Sequence, residues 1–146
     1  MTVQQGAYSI STDKERLDIP YIHSFLAGSY WAANIPLETV EKSIAGSLCF
    51  GVYEGDKQVG FARVITDQAT FGYLADVFID EAQRGRGLSK WLMQTILAHP
   101  GLQGLRRFML ATHDAHGLYA QYGFTALTFV DRWMNIHKPD LYRQPR

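Results

Sequence analysis

Residues 77–90 read Val77-Phe78-Ile79-Asp80-Glu81-Ala82-Gln83-Arg84-Gly85-Arg86-Gly87-Leu88-Ser89-Lys90. An apolar run gives way within one turn to glycines and cations. Gly85 and Gly87 permit backbone angles closed to other residues and let a ligand approach the main chain. A helix starting just after them leaves its first N–H groups without partners, aimed outward at the positive end of its dipole. Arg84, Arg86 and Lys90 add local positive charge. These parts make an anion cradle suited to a pyrophosphate and needing no metal.

Other readings of the glycine pair fit less well. A phosphate loop of the Walker type requires Gly-Lys-Ser/Thr, which is missing, and a dinucleotide fingerprint requires a third glycine where Lys90 stands. A nucleic-acid patch would need more cations and interleaved aromatics. A solvated loop that merely caps a helix is the bland alternative, and a bare glycine pair does not exclude it.

Little else in the chain suggests catalysis by metal or thiol. The five histidines form no HExxH, and paired cysteines are absent, so no metal site is expected. Cys49, the single cysteine, lies within the apolar run Leu48-Cys49-Phe50-Gly51-Val52-Tyr53 and reads as a buried strand residue. Fourteen Lys and Arg balance fourteen Asp and Glu, so no global field draws nucleic acid or a membrane to the chain. The opening residues lack the pattern of a signal peptide, and no run of eighteen apolar residues occurs, which implies a cytoplasmic protein.

The elements that would position the turn follow from periodicity. Its 146 residues, 47% apolar and 19% charged, fit one folded domain spanning 1–146, with the Pro- and cation-bearing stretch 138–146 as a frayed tail. Residues 8–12 alternate like a short strand. Helices are expected near 20–28 and from Pro36 to a stop at Gly46. Runs 48–54 and 58–66, separated by Gly55-Asp56-Lys57, predict a hairpin, and 70–79 a third strand of the meander. From 87 to 98 the period becomes helical, with Leu88, Trp91, Leu92, Thr95 and Ile96 on one face. A strand at 105–112, a short helix at 114–122 closed by Gly123, and last strands at 124–130 and 133–137 complete an α+β fold around a mixed sheet.

Arg84-Gly85-Arg86-Gly87-Leu88-Ser89, placed after a strand, closely resembles the R/Q-x-x-G-x-G/A acetyl-CoA loop of the GNAT N-acetyltransferase family. Ala115-His116-Gly117-Leu118-Tyr119-Ala120-Gln121-Tyr122-Gly123-Phe124 looks like that family's A-x-x-L-Y-x-x-x-G-F segment, at about the usual distance downstream. The resemblance is good over residues 51–124 and extends to the N-terminal part in element order only. Two positions depart from it: Ser89 replaces the final Gly/Ala, and Thr112 stands where many members carry Asn.

The resemblance implies a GNAT-type acyl-CoA N-acyltransferase fold and transfer of an acetyl group from acetyl-CoA, without a metal, directly to a primary amine of an acceptor whose identity is open. It assigns the pantetheine arm to the backbone of Val77, Phe78 and Ile79, the phosphates to Arg84, Gly85, Arg86, Gly87, Leu88 and Ser89, and a contact with the arm to Thr112. Tyr119 becomes the general acid that protonates the leaving thiolate, a role a phenol of pKa about 10 can fill at neutral pH. Tyr122 reads as structural. The acceptor pocket would draw on Tyr21, Phe25, Tyr30, Trp31, Trp133 and Met134, with Tyr30 and Trp31 as an aromatic wall against an amine. Asp76 and His113 lie near the ends of the central strands, but neither is assigned as base. A non-catalytic acyl-CoA-binding module is the rival reading. The aromatic content and terminal strands further suggest a homodimer.

Overall fold

The computed structural model describes residues 1–143. Six strands lie in one sheet in chain order: β1 (Thr2–Gln5), β2 (Tyr8–Ser11), β3 (Leu48–Glu54), β4 (Lys57–Thr66), β5 (Phe71–Ile79) and β6 (Arg107–Leu110). Neighbours are antiparallel except β5 and β6, which run parallel. A parallel pair needs a crossover, and α3 (Leu88–Ala98) provides it.

Local chemistry sets the boundaries. In the β3–β4 hairpin Glu54 faces Lys57, so Gly55 and Asp56 form a two-residue turn, with Gly55 at φ 59° as that turn requires. Helix α1 (Ile19–Ala27) starts where the Asp18 carboxylate accepts the Tyr21 N–H at 3.1 Å, with Pro20 in the first turn. Helix α2 (Leu37–Ala45) follows Pro36 and stops at Gly46.

Helices cover both faces of the sheet. Ile22, Leu26, Val40 and Ile44 of α1 and α2 pack with Phe61 and Phe78 on one face. Leu88, Leu92, Met93 and Ile96 of α3 pack with Phe50, Val52, Ala62 and Val64 on the other. Adjacent Phe61 and Ala62 thus serve opposite cores, as strand alternation dictates. None of the described helices is long and apolar enough to cross a membrane.

Three expectations are corrected. The chain opens on a hairpin, β1 and β2, rather than on one strand. Residues 124–130 and 133–137 form no strand; their only regular element is a 3₁₀ turn at Val130–Arg132. Helix α4 (His116–Ala120) is shorter than the 114–122 expected. Residues 139–142 of the expected tail form turns, while 144–146 lie outside the described residues.

Candidate active site

Strand β5 pairs with β6 only over residues 71–74, opposite 107–110, and then runs on to Ile79 after β6 has ended at Leu110. Past Leu74 its backbone therefore has no strand beside it on that side, and a cleft of about 390 Å³ opens between the two strands. A bulge marks the divergence: Phe61 to Arg63 of β4 face Phe78 to Ala75 of β5, two steps against three. Asp76 takes up the extra residue at φ 56°, a conformation that Asp tolerates better than most side chains. A bulge bends its strand, and here the bend lies where the cleft opens.

Asp76 is an anchor in this structure. One carboxylate oxygen accepts the Trp31 indole N–H at 3.0 Å, and the other accepts Arg63 Nε at 2.9 Å. Arg63 Nη1 in turn donates to Ser47 Oγ at 3.1 Å. The Asp76 and Arg63 side chains are only 10% and 15% exposed, so water competes little for this pair. With both oxygens engaged, Asp76 fixes Trp31 at the cleft instead of waiting as a free base. Tyr30 stands edge-on to Trp31 at 5.2 Å and to His113 at 5.8 Å between ring centres. Tyr30, Trp31 and His113 all line the cleft, with Tyr30 71% exposed.

At the far end of β5 the glycine-arginine turn enters α3. Gly85 and Gly87 have φ of 82° and 76°, and Gly87 caps the helix without a side-chain hydrogen bond. Among the described residues, the backbone N–H groups of residues 85–90 find no acceptor; the first bonded one is Trp91, to the Gly87 carbonyl at 3.1 Å. Six successive donors are thus unpaired, and a Cβ at Gly85 or Gly87 would meet nothing within 4 Å. An anion such as a diphosphate fits this cradle.

The turn is braced from behind by side chains. Tyr8 donates its hydroxyl to Gln83 Oε1 at 2.7 Å and accepts Arg86 Nη1 at 2.6 Å, while Gln83 Nε2 donates to Glu54 Oε1 at 3.0 Å. Arg84 Nε reaches the Ile79 carbonyl at 3.4 Å. Both arginine side chains are therefore tethered to the protein, while the main-chain N–H groups of residues 85–90 stay unpaired. The two Tyr8 contacts span seventy-five and seventy-eight positions, and nothing local in the sequence announces Tyr8 as part of the loop.

Tyr119, from α4, lines the same cleft. Its ring lies edge-on to Phe124 at 6.0 Å, and its hydroxyl has no hydrogen-bond partner among the described residues. Burial first, and the nearby Tyr30 second, push its phenol above the usual tyrosine value, so it stays protonated at neutral pH. Tyr122 instead donates to the Lys90 carbonyl at 3.3 Å, a structural contact.

The other expected site residues divide. Val77 and Thr112 line the cleft, and Thr112 Oγ1 also accepts the Ala115 N–H at 3.1 Å. Phe78 and Ile79 do not line the cleft, and their side chains are core. Tyr21, Phe25, Trp133 and Met134 do not line it, which corrects the wider acceptor pocket. Phe25 is stacked on Phe78 at 3.8 Å, and Trp133 lies beneath the Arg107 guanidinium, 4.7 Å away.

A strand splayed from its parallel neighbour, followed by an open N–H cradle, is the geometry that the loop motif implies. The acetyltransferase (GNAT) family model matches residues 15–124. This chain belongs to the GNAT family. GNAT proteins are acetyl-CoA-dependent acyltransferases, and so is this one. A relative from Gibberella zeae, described as a candidate acetyltransferase, is 34% identical over 140 residues, covering 80% of this chain and 78% of its own. A crystal structure of a candidate GNAT acetyltransferase from Xanthomonas campestris pv. campestris shares 52% identity at a TM-score of 0.93, covering 97% of this chain and 100% of that one. A more distant crystal structure from Clostridium acetobutylicum, with acetyl-CoA, superposes at a TM-score of 0.64 with 13% identity over 94% of this chain and 96% of that one. That last likeness concerns the fold alone.

Proposed function

We propose that this GNAT protein is an N-acetyltransferase that passes the acetyl group of acetyl-CoA directly to a primary amine of an acceptor held in the β5–β6 cleft. The observation that carries the reading is the row of six unpaired N–H groups at residues 85–90, at the end of a strand whose backbone is open on the cleft side.

Acetyl-CoA supplies the activated thioester carbonyl. In this reading the N–H groups of residues 85–90 hold its diphosphate, and the backbone groups of residues 77–79 on the side away from β4 hold the amides of its arm. The arm then points along β5 toward Tyr119. The amine nitrogen attacks the carbonyl carbon, the carbon–sulfur bond breaks, and the Tyr119 phenol gives its proton to the departing sulfur. The amine's surplus proton leaves to water, since both Asp76 oxygens are engaged, and Tyr119 recovers a proton from solvent. Tyr30 and Trp31 flank the acceptor, and their ring faces favour an amine that carries positive charge or apolar bulk beside the reacting nitrogen.

The test is a panel of small amines, polyamines, amino acids and lysine peptides with acetyl-CoA, following release of free thiol. Turnover with at least one amine, with the acetyl group recovered on nitrogen, is expected. Saturable acetyl-CoA binding without turnover on the whole panel would favour a non-catalytic acyl-CoA-binding module.

A further inference from the structure

The cradle turns on two glycines at positive φ, and the main chain does little to hold it in shape. The last backbone hydrogen bond before it runs from the Arg84 N–H to the Glu81 carbonyl at 3.3 Å, and the first after it from the Trp91 N–H to the Gly87 carbonyl at 3.1 Å. Among the described residues, neither Gly85 nor Arg86 makes a main-chain hydrogen bond. A glycine turn left in this condition samples many backbone states, and a diphosphate binding there would have to order it.

One side chain pins the turn instead. Arg86, standing between the two glycines, donates from Nη1 to the Tyr8 hydroxyl at 2.6 Å. Tyr8 is itself fixed. It lies directly opposite Glu54 in the β2–β3 pairing, and Gln83 bridges the two, accepting the Tyr8 hydroxyl at Oε1 (2.7 Å) and donating from Nε2 to Glu54 Oε1 (3.0 Å). The direction of every bond is forced, because a guanidinium can only donate and a carboxylate can only accept. The hydrogens therefore run one way, from Arg86 through Tyr8 and Gln83 to Glu54. Such a chain joins a cation to an anion, and each link that gives up its own hydrogen becomes a better acceptor for the next. Gln83 is 9% exposed, with Tyr8 and Glu54 half-buried, so water competes little at the inner links.

We infer that Tyr8 is a positioning residue for the acyl donor: its hydroxyl, locked by Gln83 and Glu54, holds Arg86, and with it the two-glycine turn, in the shape that receives a diphosphate. The inference rests on the reading of residues 85–90 as the donor's phosphate cradle. Tyr8 is absent from the lining of the cleft and acts through Arg86 alone. Its ring packs against the core that α3 shares with the sheet, and Phe keeps that ring, so Tyr8→Phe cuts the link without removing the packing. Ordering the turn then falls to the binding of the donor, which weakens accordingly.

Calorimetric titration of acetyl-CoA into the wild type, Tyr8→Phe, Arg86→Met and the double variant tests the inference. Tyr8→Phe should weaken binding by about 10–100-fold, since the turn residues lose their fixed conformation. The same change made in the Arg86→Met chain should weaken it by less than about threefold, because the link is already cut. A tyrosine that merely stabilises the fold would cost the same in both backgrounds, and that result overturns the inference, as does a Tyr8→Phe chain that binds as tightly as the wild type. A wild type that binds no acetyl-CoA overturns the donor reading itself, so the two failures are distinguishable. Nuclear magnetic resonance on the unliganded chain gives a second readout that does not depend on a variant. Amide order parameters at residues 85–87 should be about 0.8 in the wild type, as in rigid backbone, and about 0.6 or lower in Tyr8→Phe. Wild-type values below about 0.6 overturn the inference, because the turn would then not be pinned.

Discussion

Replacing Tyr119 by Phe removes one oxygen from the cleft and nothing else of its packing. The ring, edge-on to Phe124 at 6.0 Å, is kept, and the lost hydroxyl has no hydrogen-bond partner among the described residues. Stability should therefore change by less than about 0.5 kcal/mol, a shift in Tm of at most about 2 °C for a chain of this size. If the hydroxyl protonates the departing sulfur, turnover should fall about 10²–10⁴-fold, or about 3–5 kcal/mol of transition-state stabilisation. Because burial pushes the phenol above its ordinary value, the wild type should show no loss of this acid, and no falling limb from it, below about pH 10. Steady-state thiol release at saturating acetyl-CoA, with single-turnover runs to establish that chemistry limits, reads the effect. Near-native turnover in the variant, or a loss of activity matched by a large drop in Tm, would refute the assignment.

Asp76→Asn weakens a mostly buried pair with Arg63 and loosens Trp31, so stability should drop by about 1–3 kcal/mol. The acceptor KM should rise more than kcat falls, with acetyl-CoA affinity unmoved, as thermal melts and kinetics would register. Burial pushes the Cys49 thiol up to about 11. At pH 8 about one part in a thousand is thiolate, so a disulfide reagent should label the native chain slowly and the unfolded chain fast. The Asp67 carboxylate in the β4–β5 turn accepts the backbone N–H and then the hydroxyl of Thr70, with the N–H groups of Ala69 and Phe71, and is held below the usual carboxylate range. A depressed folded-state value means a contribution present above the unfolded pKa of about 3.9 and lost as pH falls through the folded one. The wild type should therefore exceed Asp67→Ala in Tm at pH 7, and the difference should shrink below about pH 3.

The fold was readable in the sequence where a local signal and its structural consequence coincide. Gly55-Asp56 specifies a turn whatever lies elsewhere, and Gly87 ahead of a helical period specifies a helix start, so β3, β4 and α3 fall where the pattern puts them. Alternation at 124–137 marks residues able to pair, but alternation names no partner, and in the fold these residues form no strand. The strand β1 escaped notice for the opposite reason: Thr2, Gln4 and Gln5 are polar and exposed, and Val3 is its single apolar, half-buried residue, too little for an alternating signal. Within the site, the loop and Tyr119 were legible because their neighbours in sequence are their neighbours in space. Asp76 joins Trp31 across forty-five positions and Tyr8 joins Arg86 across seventy-eight, relations that only the folded sheet creates.

Calorimetric titration of acetyl-CoA into the wild type, Gly87→Ala and Gly87→Asp tests most directly the claim that the cradle at residues 85–90 is the acyl-donor site. A Cβ at Gly87 meets nothing within 4 Å, but φ is 76°, so Ala isolates the backbone strain of about 1–2 kcal/mol. Asp adds a carboxylate where the diphosphate should lie. Saturable binding to the wild type, moderate loss with Ala and at least ~100-fold loss with Asp are expected, all three chains remaining folded. A folded Gly87→Asp chain that binds acetyl-CoA as tightly as the wild type would contradict the claim and move the cofactor away from this loop.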